Sequence, residues 1–440
     1  MENIYEKFLE STAVSIDSRN CPEGAMFIGI KGANFDGNLF VEKALEQGCK
    51  YAITDNPEIG VDNPNIIHVE DSLKTLQDLA CYHRMKFNIP VIGITGTNGK
   101  TTSKELISTV LSKEYNTLFT LGNLNNHIGV PLTLLRLNRG HQIAVIEMGA
   151  NHPKEIEFLC NIARPNFGII TNVGKAHLEG FGSFEGVKKT KGELYAFINK
   201  VEGKVFLHAD NPHLTDMANA VIEPVEMSAY IKYGEADENF VSGNIVSCTP
   251  YINVDLRLNG NSTGEKASYN VQTQLIGDYN LSNILSAACI GRYFGVMDED
   301  IVAALRDYTP TNNRSQCTKT ESNTLIVDAY NANPTSMDAA LRNFSKIEAN
   351  SKALILGDMK ELGEDSIMEH KKILALIESL GFERVYLVGS EFTKSAAGAY
   401  LCFENVEALK EYLATNPIKD YTILIKGSNS TRLTQIVPSL

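Results

Sequence analysis

The sequence predicts an α/β protein built from three domains. From Pro90 onward, apolar runs of strand length alternate with amphipathic segments of helix length, which is the pattern of a parallel sheet joined by helices. The same alternation resumes after Pro310, beyond a stretch of period two, so it belongs to two sheets and not one. The 440 residues also suit about three domains at roughly 100–200 residues each. The expected boundaries are 1–88, 89–310 and 311–440.

In the first 88 residues, short apolar runs from Met26 to Ile30 and from Tyr51 to Thr54 are punctuated by Lys31-Gly32, Asp36-Gly37 and Asp62-Asn63-Pro64. Such turn signals predict a small mixed α/β domain. In the central part, Val91 to Thr95 is expected as a strand and Ser103 to Ser112 as its helix. Ile143 to Met148 follows as a strand, and Asn151 is expected to cap the next helix, with Pro153 in its first turn. Phe167 to Thr171 and Lys204 to Ala209 continue the sheet. Between about Ile222 and Ile276, Ile252, Val254, Leu256 and Leu258 alternate with polar residues and run into Asn259-Gly260, a hairpin signal. An antiparallel annex on the parallel domain is expected there. Leu281 to Phe294 reads as a buried helix and Pro310-Thr-Asn-Asn as a linker. The last part predicts strands at Thr324 to Asp328, Ala353 to Leu356, Arg384 to Val388 and Thr422 to Ile425.

Hydrophobic residues make up 43 % and charged residues 21 %, a composition that can build a core and is not that of a disordered chain. The net charge of −13 argues against an extended surface for nucleic acid or anionic lipid. The eight cysteines are scattered without a Cys-x-x-Cys pair, so buried thiols in a reducing compartment are expected, not a disulfide framework or a zinc site. No basic leader precedes an apolar stretch, and no run approaches the roughly 18 apolar residues of a membrane span. A cytoplasmic protein without a membrane span is expected.

The most informative segment is Val91-Ile-Gly-Ile-Thr-Gly-Thr-Asn-Gly-Lys-Thr-Thr102. A buried strand breaks into glycines and re-emerges as a helix. Gly96 and Gly99 let backbone N–H groups face a phosphate, with Thr97 and Asn98 between them, and the helix start adds its dipole. Lys100 supplies a full charge and the Thr101 hydroxyl suits Mg²⁺, with Thr102 next to it. The glycines are three residues apart, a tighter loop than the common Gly-x-x-x-x-Gly-Lys-Ser/Thr. The loop alone leaves kinase, NTPase and ATP-driven ligase open.

The run Gly96-Thr-Asn-Gly-Lys-Thr-Thr102 resembles the nucleotide loop of the Mur ligases, the ATP-dependent amide-bond-forming enzymes of peptidoglycan precursor synthesis. Further blocks are similar along the chain from Asp17 to Arg432. Three of them, Asp328-Ala-Tyr-Asn-Ala-Asn-Pro-Thr-Ser-Met337, Leu356-Gly-Asp-Met-Lys-Glu-Leu-Gly363 and Glu147-Met-Gly-Ala-Asn-His152, resemble the branch that adds D-alanyl-D-alanine to UDP-N-acetylmuramoyl-tripeptide. The resemblance implies a UDP-substrate-binding N-terminal domain, a central ATPase-like parallel-sheet domain and a Rossmann-like C-terminal domain.

It also implies roles. A carboxylate is phosphorylated by ATP and an amine attacks the acyl phosphate. Glu147, at a strand end where ligands bind in open α/β sheets, is expected to share Mg²⁺ with Thr101, and His177 to hold a second Mg²⁺. Lys191 corresponds to a lysine that the family carries as a carbamate, made from CO₂; an unmodified amine on phosphate is the competing reading. Asn125 and Asn126, with Gly129, Pro131 and Thr133, are similar to a loop near substrate and phosphates. Asn280 and Asn283 are expected near adenine, with Tyr279 in place of the family's usual His. Arg314 is expected on the ATP phosphates and Asp328 on ribose. Asn331, Asn333, Ser336 and Met337, with Gly357, Asp358, Glu361 and Leu362, are expected near the incoming dipeptide or in support of a closed state. Ser18 and Arg19 are expected to hold the UDP end.

The expected reaction therefore joins D-alanyl-D-alanine to the tripeptide carboxyl in a monomer. Two alternatives stand beside it: a related ligase of cyanophycin or folylpolyglutamate type, and a non-catalytic nucleotide-binding protein on the same scaffold.

Overall fold

The structure, a computed structural model, describes residues 1–221, 229–259, 267–310, 314 and 316–440. Three sheets organise them. The first has four parallel strands in the order Val14–Ser15, Met26–Ile28, Tyr51–Thr54 and Ile66–His68. Successive side chains of a strand face opposite ways, and the burial follows that rule. Phe27 and Ala52 pack with Val41 and Ala44 on one face, while Met26, Ile28 and Ile53 face the other. That second face continues through Leu76 and Leu79 of the helix Ser72–Arg84 into Leu134, Leu159 and Ile162 of the central domain. The first two domains thus share one apolar core. Buried Arg84 adds to the tie by donating to Ala163 O at 3.2 Å and Arg164 O at 3.3 Å.

Cys21 and Cys49 are paired as a disulfide in the first domain, contrary to the expected set of free thiols. Their separation of 28 residues hid the pairing, because the fold brings Cys49, next to the Tyr51–Thr54 strand, beside the loop that follows Ser18–Asn20. The other six are free, and of these Cys160 and Cys289 are buried.

The second sheet has nine strands. It runs from Ala267–Ile276 through Tyr251–Leu258, Val241–Cys248, Tyr230–Gly234, Lys204–His208, Phe167–Ile170, Val91–Thr95 and Ile143–Glu147 to Thr117–Phe119. The period-two segment forms the expected antiparallel annex on the parallel domain, and it does so as part of the same sheet. Tyr230–Gly234 pairs in parallel with both Lys204–His208 and Val241–Cys248, and the antiparallel strands then extend the same sheet. Leu258 pairs with Ala267; the Gly260 turn and the 311–313 linker lie outside the described residues. The buried helix Leu281–Tyr293 covers one face beside Lys100–Leu111, and Glu155–Ala163 and Phe184–Lys200 cover the other.

Asn151 does not cap a helix. The helix begins at Glu155, after Lys154 in the left-handed region at φ 73°. Its amides are satisfied from elsewhere: Glu193 accepts from Lys154 N at 2.8 Å and Glu157 N at 2.9 Å, while Glu155 accepts from Asn151 N at 2.6 Å and His152 N at 3.1 Å. A carboxylate 39 residues away supplies what a local cap supplies elsewhere.

The third sheet orders Gln316–Lys319, Thr324–Asp328, Thr422–Lys426, Lys352–Gly357, Arg384–Val388 and Leu401–Phe403, all parallel except the first. The two short edge strands were not expected from the sequence. This domain has apolar cores on both faces, one of which takes in Ile276 of the central sheet, and polar contacts also cross to the central domain. Asn333 Nδ2 donates to Asn98 Oδ1 at 2.8 Å, Lys175 N to Thr335 Oγ1 at 3.1 Å, and Lys175 Nζ lies 3.4 Å from Glu369 Oε1. Asn333 and Glu369 are buried while Lys175 is half-exposed, and the apolar packing described across this seam is smaller than that between the first two domains.

Candidate active site

The strand Val91–Thr95 pairs with Phe167–Ile170 on one side and Ile143–Glu147 on the other, so three strand ends converge on the glycine loop. Gly96 has φ 145°, and a Cβ there would stand 2.0 Å from Thr171 Oγ1. Gly99 has φ 77°, with Asn283 Oδ1 2.7 Å from its would-be Cβ. Only glycine fits either position. Thr97 N donates to Asn172 O and Asn98 N to Asn172 Oδ1, both at 2.9 Å, and Thr171 Oγ1 donates to Asn98 O at 2.6 Å. The tight loop is thereby fixed at the head of the Lys100–Leu111 helix.

Lys100 folds back over the loop, its Nζ donating to Gly96 O at 2.8 Å and Thr97 O at 3.0 Å. Burial brings its pKa down to about 8, with Glu147 opposing the shift and Arg314 adding to it. Glu147 is 1 % exposed. Its Oε1 accepts from Thr101 Oγ1 at 3.2 Å and Asn125 Nδ2 at 2.8 Å, while Oε2 is buried without a partner. An orphaned buried carboxylate oxygen is costly, and beside a threonine hydroxyl and a phosphate loop it fits a hard dication that takes oxygen ligands.

His177 sits in the left-handed region at φ 51° and contacts Glu361 of the C-terminal domain. Lys191 is buried, with Ala150 O at 3.4 Å as its nearest acceptor and the Phe181 ring centroid at 5.3 Å. Burial, then repulsion from Lys100, holds its pKa well below the usual lysine value. Its amine therefore tends to the neutral form, the form that adds CO₂. Among the described residues no cluster of three or more His, Cys, Asp or Glu is arranged as a metal site, and Lys191 lies just behind the cavity wall at Ala150.

The cavity is about 1110 Å³. Of the expected residues it is lined by Thr97, Asn98, Gly99, Lys100, Thr101, Thr102, Asn125, Asn126, Glu147, His177, Asn280, Asn283, Arg314, Asp328, Asn331 and Ser336. Gly96, Lys191 and Asn333 stand behind that surface. Asn333 caps Pro334–Lys346 through a reciprocal pair with Ser336 while bridging to Asn98. Asn280 and Asn283 buttress each other at 2.8 Å, and Asn283 accepts from Ser103 Oγ at 3.0 Å. Arg314 lies over the Tyr330 ring at 4.0 Å, with Nε buried and unpartnered. Asp328 is held at 2.5 Å by Lys426, a buried cation that also lines the cavity and that the sequence reading missed. Tyr330 and Thr335 were missed as well.

Several of the named residues do not line this cavity. Asp358 is a structural cap whose carboxylate accepts from Glu391 N at 3.1 Å and Phe392 N at 2.9 Å, and Met337 and Leu362 belong to the C-terminal core. Ser18 and Arg19 lie outside the cavity at the N-terminal sheet. Arg19 is exposed and forked onto Asp17 at 2.9 Å through both Nε and Nη2, which draws the Asp17 carboxyl down to about 2.

The lowered Lys100 pKa has a measurable consequence. A bound triphosphate stabilises the ammonium, so nucleotide binding above pH 8 is expected to take up a proton and to weaken as pH rises. Calorimetry in buffers of different ionisation enthalpy should show that uptake at pH 9 and little at pH 7, and Lys100→Arg, which stays charged throughout, should abolish it. The sign is opposite for folding. The native state prefers neutral Lys100, so this group's contribution to stability rises with pH between about 8 and the unfolded value near 10.4.

Three family models match the chain: the Mur ligase family catalytic domain over residues 10–84, the Mur ligase middle domain over 94–291 and the Mur ligase glutamate ligase domain over 313–429. The UDP-N-acetylmuramoyl-tripeptide--D-alanyl-D-alanine ligase of Bacillus subtilis is 34 % identical, covering 97 % of this chain and 92 % of that one. The crystal structure of MurF from Acinetobacter baumannii superposes with a TM-score of 0.85 at 29 % identity, over 100 % of this chain and 98 % of that one. MurF from Thermotoga maritima in complex with ADP gives 0.84 at 25 % identity, over 98 % and 97 %.

Proposed function

The chain belongs to the Mur ligase family, and from that premise we propose how its residues perform the family's chemistry. It is an ATP-dependent ligase that joins D-alanyl-D-alanine to the terminal carboxyl of UDP-N-acetylmuramoyl-tripeptide in peptidoglycan precursor synthesis, forming ADP and phosphate. The observation that carries the site assignment is the unpartnered Glu147 Oε2 beside Thr101 and Lys100, at the seam where the C-terminal domain docks.

The loop from Gly96 to Thr102 receives the ATP phosphates, and Lys100 leaves Gly96 O and Thr97 O to follow the transferred γ-phosphoryl group. Arg314 offers its unpaired Nε to the phosphates, Asp328 faces the ribose, and Asn280 and Asn283 hold the loop from the base side. Thr101, Glu147, His177 and carbamylated Lys191 would hold Mg²⁺, which supplies charge neutralisation between two anions. The substrate carboxylate takes the phosphoryl group, ADP is released, the dipeptide amine adds to the acyl carbon, and the tetrahedral intermediate expels phosphate. Asn125 and Asn126 face the peptide arm of the UDP substrate, and Asn331, Asn333 and Ser336 bring in the dipeptide side. Ser18 and Arg19, remote from the cavity, take the UDP end of a long substrate, and a cytoplasmic monomer suffices for all these roles. No described helix is long and apolar enough to cross a membrane.

Purified protein should release phosphate from ATP only when both the UDP-tripeptide and D-alanyl-D-alanine are present. Equal turnover with a free amino acid would instead favour the related-ligase reading, and nucleotide binding without turnover the non-catalytic one.

A further inference from the structure

Lys426 lines the cavity from the C-terminal sheet and is only 1 % exposed. It ends the strand Thr422–Lys426 in register with Asp328, the last residue of the neighbouring strand Thr324–Asp328, so the sheet itself sets the two side chains together. The Lys426 Nζ donates to Asp328 Oδ2 at 2.5 Å and to Asn331 O at 3.3 Å. Among the described residues no hydrogen bond engages Asp328 Oδ1, and Asp328 also lines the cavity. A buried ammonium is costly unless it is paired. A buried ion pair, in turn, adds little stability over apolar side chains of the same volume, so its place in a cavity wall points to a use in binding.

On the functional reading above, on which this inference rests, Asp328 faces the ribose, and there its charge acts in two directions. An ionised carboxylate is the stronger acceptor for a hydroxyl, yet the same charge repels the triphosphate attached to that sugar. We propose that Lys426 is the positioning residue of the nucleoside end: it cancels the charge of Asp328 toward the polyanion and holds Oδ2, leaving Oδ1 for a sugar hydroxyl. Its second bond, to Asn331 O, fixes the ammonium to the segment that follows the Asp328 strand and restrains the pair from swinging into the cavity. Lys426 therefore acts through Asp328, and the nucleotide it favours is one with an intact ribose.

The test uses the full-length enzyme with ATP, 2′-deoxyATP and 3′-deoxyATP. The wild type is expected to prefer ATP over at least one deoxy analogue by roughly tenfold to a hundredfold in kcat/KM, the range of a hydrogen bond to a charged group. Lys426→Met leaves Asp328 unpaired before a polyanion. It should raise KM for ATP by roughly tenfold to a hundredfold, the effect of bringing like charges together, erode the preference for ATP, and leave KM for the UDP-tripeptide unchanged. Asp328→Asn/Lys426→Met removes both charges and should regain part of the lost ATP affinity while the sugar preference stays lost, the non-additivity of a coupled pair. Lys426→Arg restores the charge and should recover both in part. If a thermal melt shows Lys426→Met to be unfolded, Lys426→Gln, which can still donate to Asp328, takes its place with the same rise in KM expected. A wild-type KM for ATP in the uncharged single variant overturns the assignment. So does a double variant that binds ATP no better than Lys426→Met, which would put the ammonium on the nucleotide itself. A wild-type enzyme that uses all three nucleotides alike takes Asp328 off the ribose, and the functional reading of that residue then fails together with this proposal.

Discussion

Glu147→Gln is expected to lower kcat/KM for ligation by roughly 10²–10³-fold, the loss typical of one preorganised electrostatic group in a water-poor site, while leaving the fold intact. The side chain is fully enclosed, and an amide of nearly the same shape keeps one oxygen to accept from Thr101 and Asn125. What disappears is the negative charge. With it goes the unpartnered Oε2, the oxygen best placed to bind a dication. A second consequence separates this loss from simple disruption. Glu147 is the main charge supporting protonated Lys100 and Lys104 against burial, so removing it lowers both pKa values further. The proton taken up on nucleotide binding should therefore appear at lower pH than in the wild type. Steady-state rates, a thermal melt and the buffer-dependent calorimetry check the three parts together. Full activity, or an unshifted proton uptake, would take Glu147 out of the site.

The parts of this site that could be read from the sequence are those whose chemistry is contiguous. Gly96 to Thr102 joins strand, turn, cation, hydroxyl and helix in one run, and each residue lies where the order of the motif requires. Glu147 was readable because a strand end is a defined place. The failures are pairings across the chain. Lys426 ends an apolar strand and reads as surface, yet its partner Asp328 is 98 residues away on the neighbouring strand. Asn151 has the right residue type for a cap, but Glu193 occupies the helix start from another element. Asp358 shares a motif with Glu361 and is turned to a helix start, while Glu361 is turned to the seam. The fold class and strand positions came from periodicity, which is local. The continuity of the nine-stranded sheet depends on Tyr230–Gly234 pairing in parallel on both sides, and no local pattern encodes that.

The distribution of contacts also divides the labour between domains. The N-terminal domain shares an extended apolar core with the central one, whereas the C-terminal domain shares Ile276 and a set of polar contacts with it. On the proposed assignment, ATP would bridge the phosphate loop, Arg314 and Asp328, so that substrate binding and closure would favour each other.

Lys191→Ala is expected to cost at least as much as Glu147→Gln, on the order of 10³-fold in kcat, and to change how the enzyme responds to CO₂. Unmodified Lys191 is a poor structural feature: a buried amine with one long contact to Ala150 O, repelled by Lys100. Both effects favour the neutral amine, whose lone pair adds to the carbon of CO₂. The N–C bond forms, the nitrogen loses a proton to solvent, and the product is an anionic carbamate in place of a cation. That inversion would convert repulsion with Lys100 into attraction and would provide an oxygen ligand beside Glu147 and His177. Wild-type enzyme degassed and assayed without bicarbonate should therefore lose activity and regain it when bicarbonate returns, and ¹³C-labelled bicarbonate should give a protein-bound carbamate resonance that Lys191→Ala lacks. Residual activity of the alanine variant should not respond to bicarbonate. If Lys191→Arg keeps most of the rate and neither protein responds to CO₂, the lysine acts as a cation on phosphate, and the charge inversion at this position is wrong.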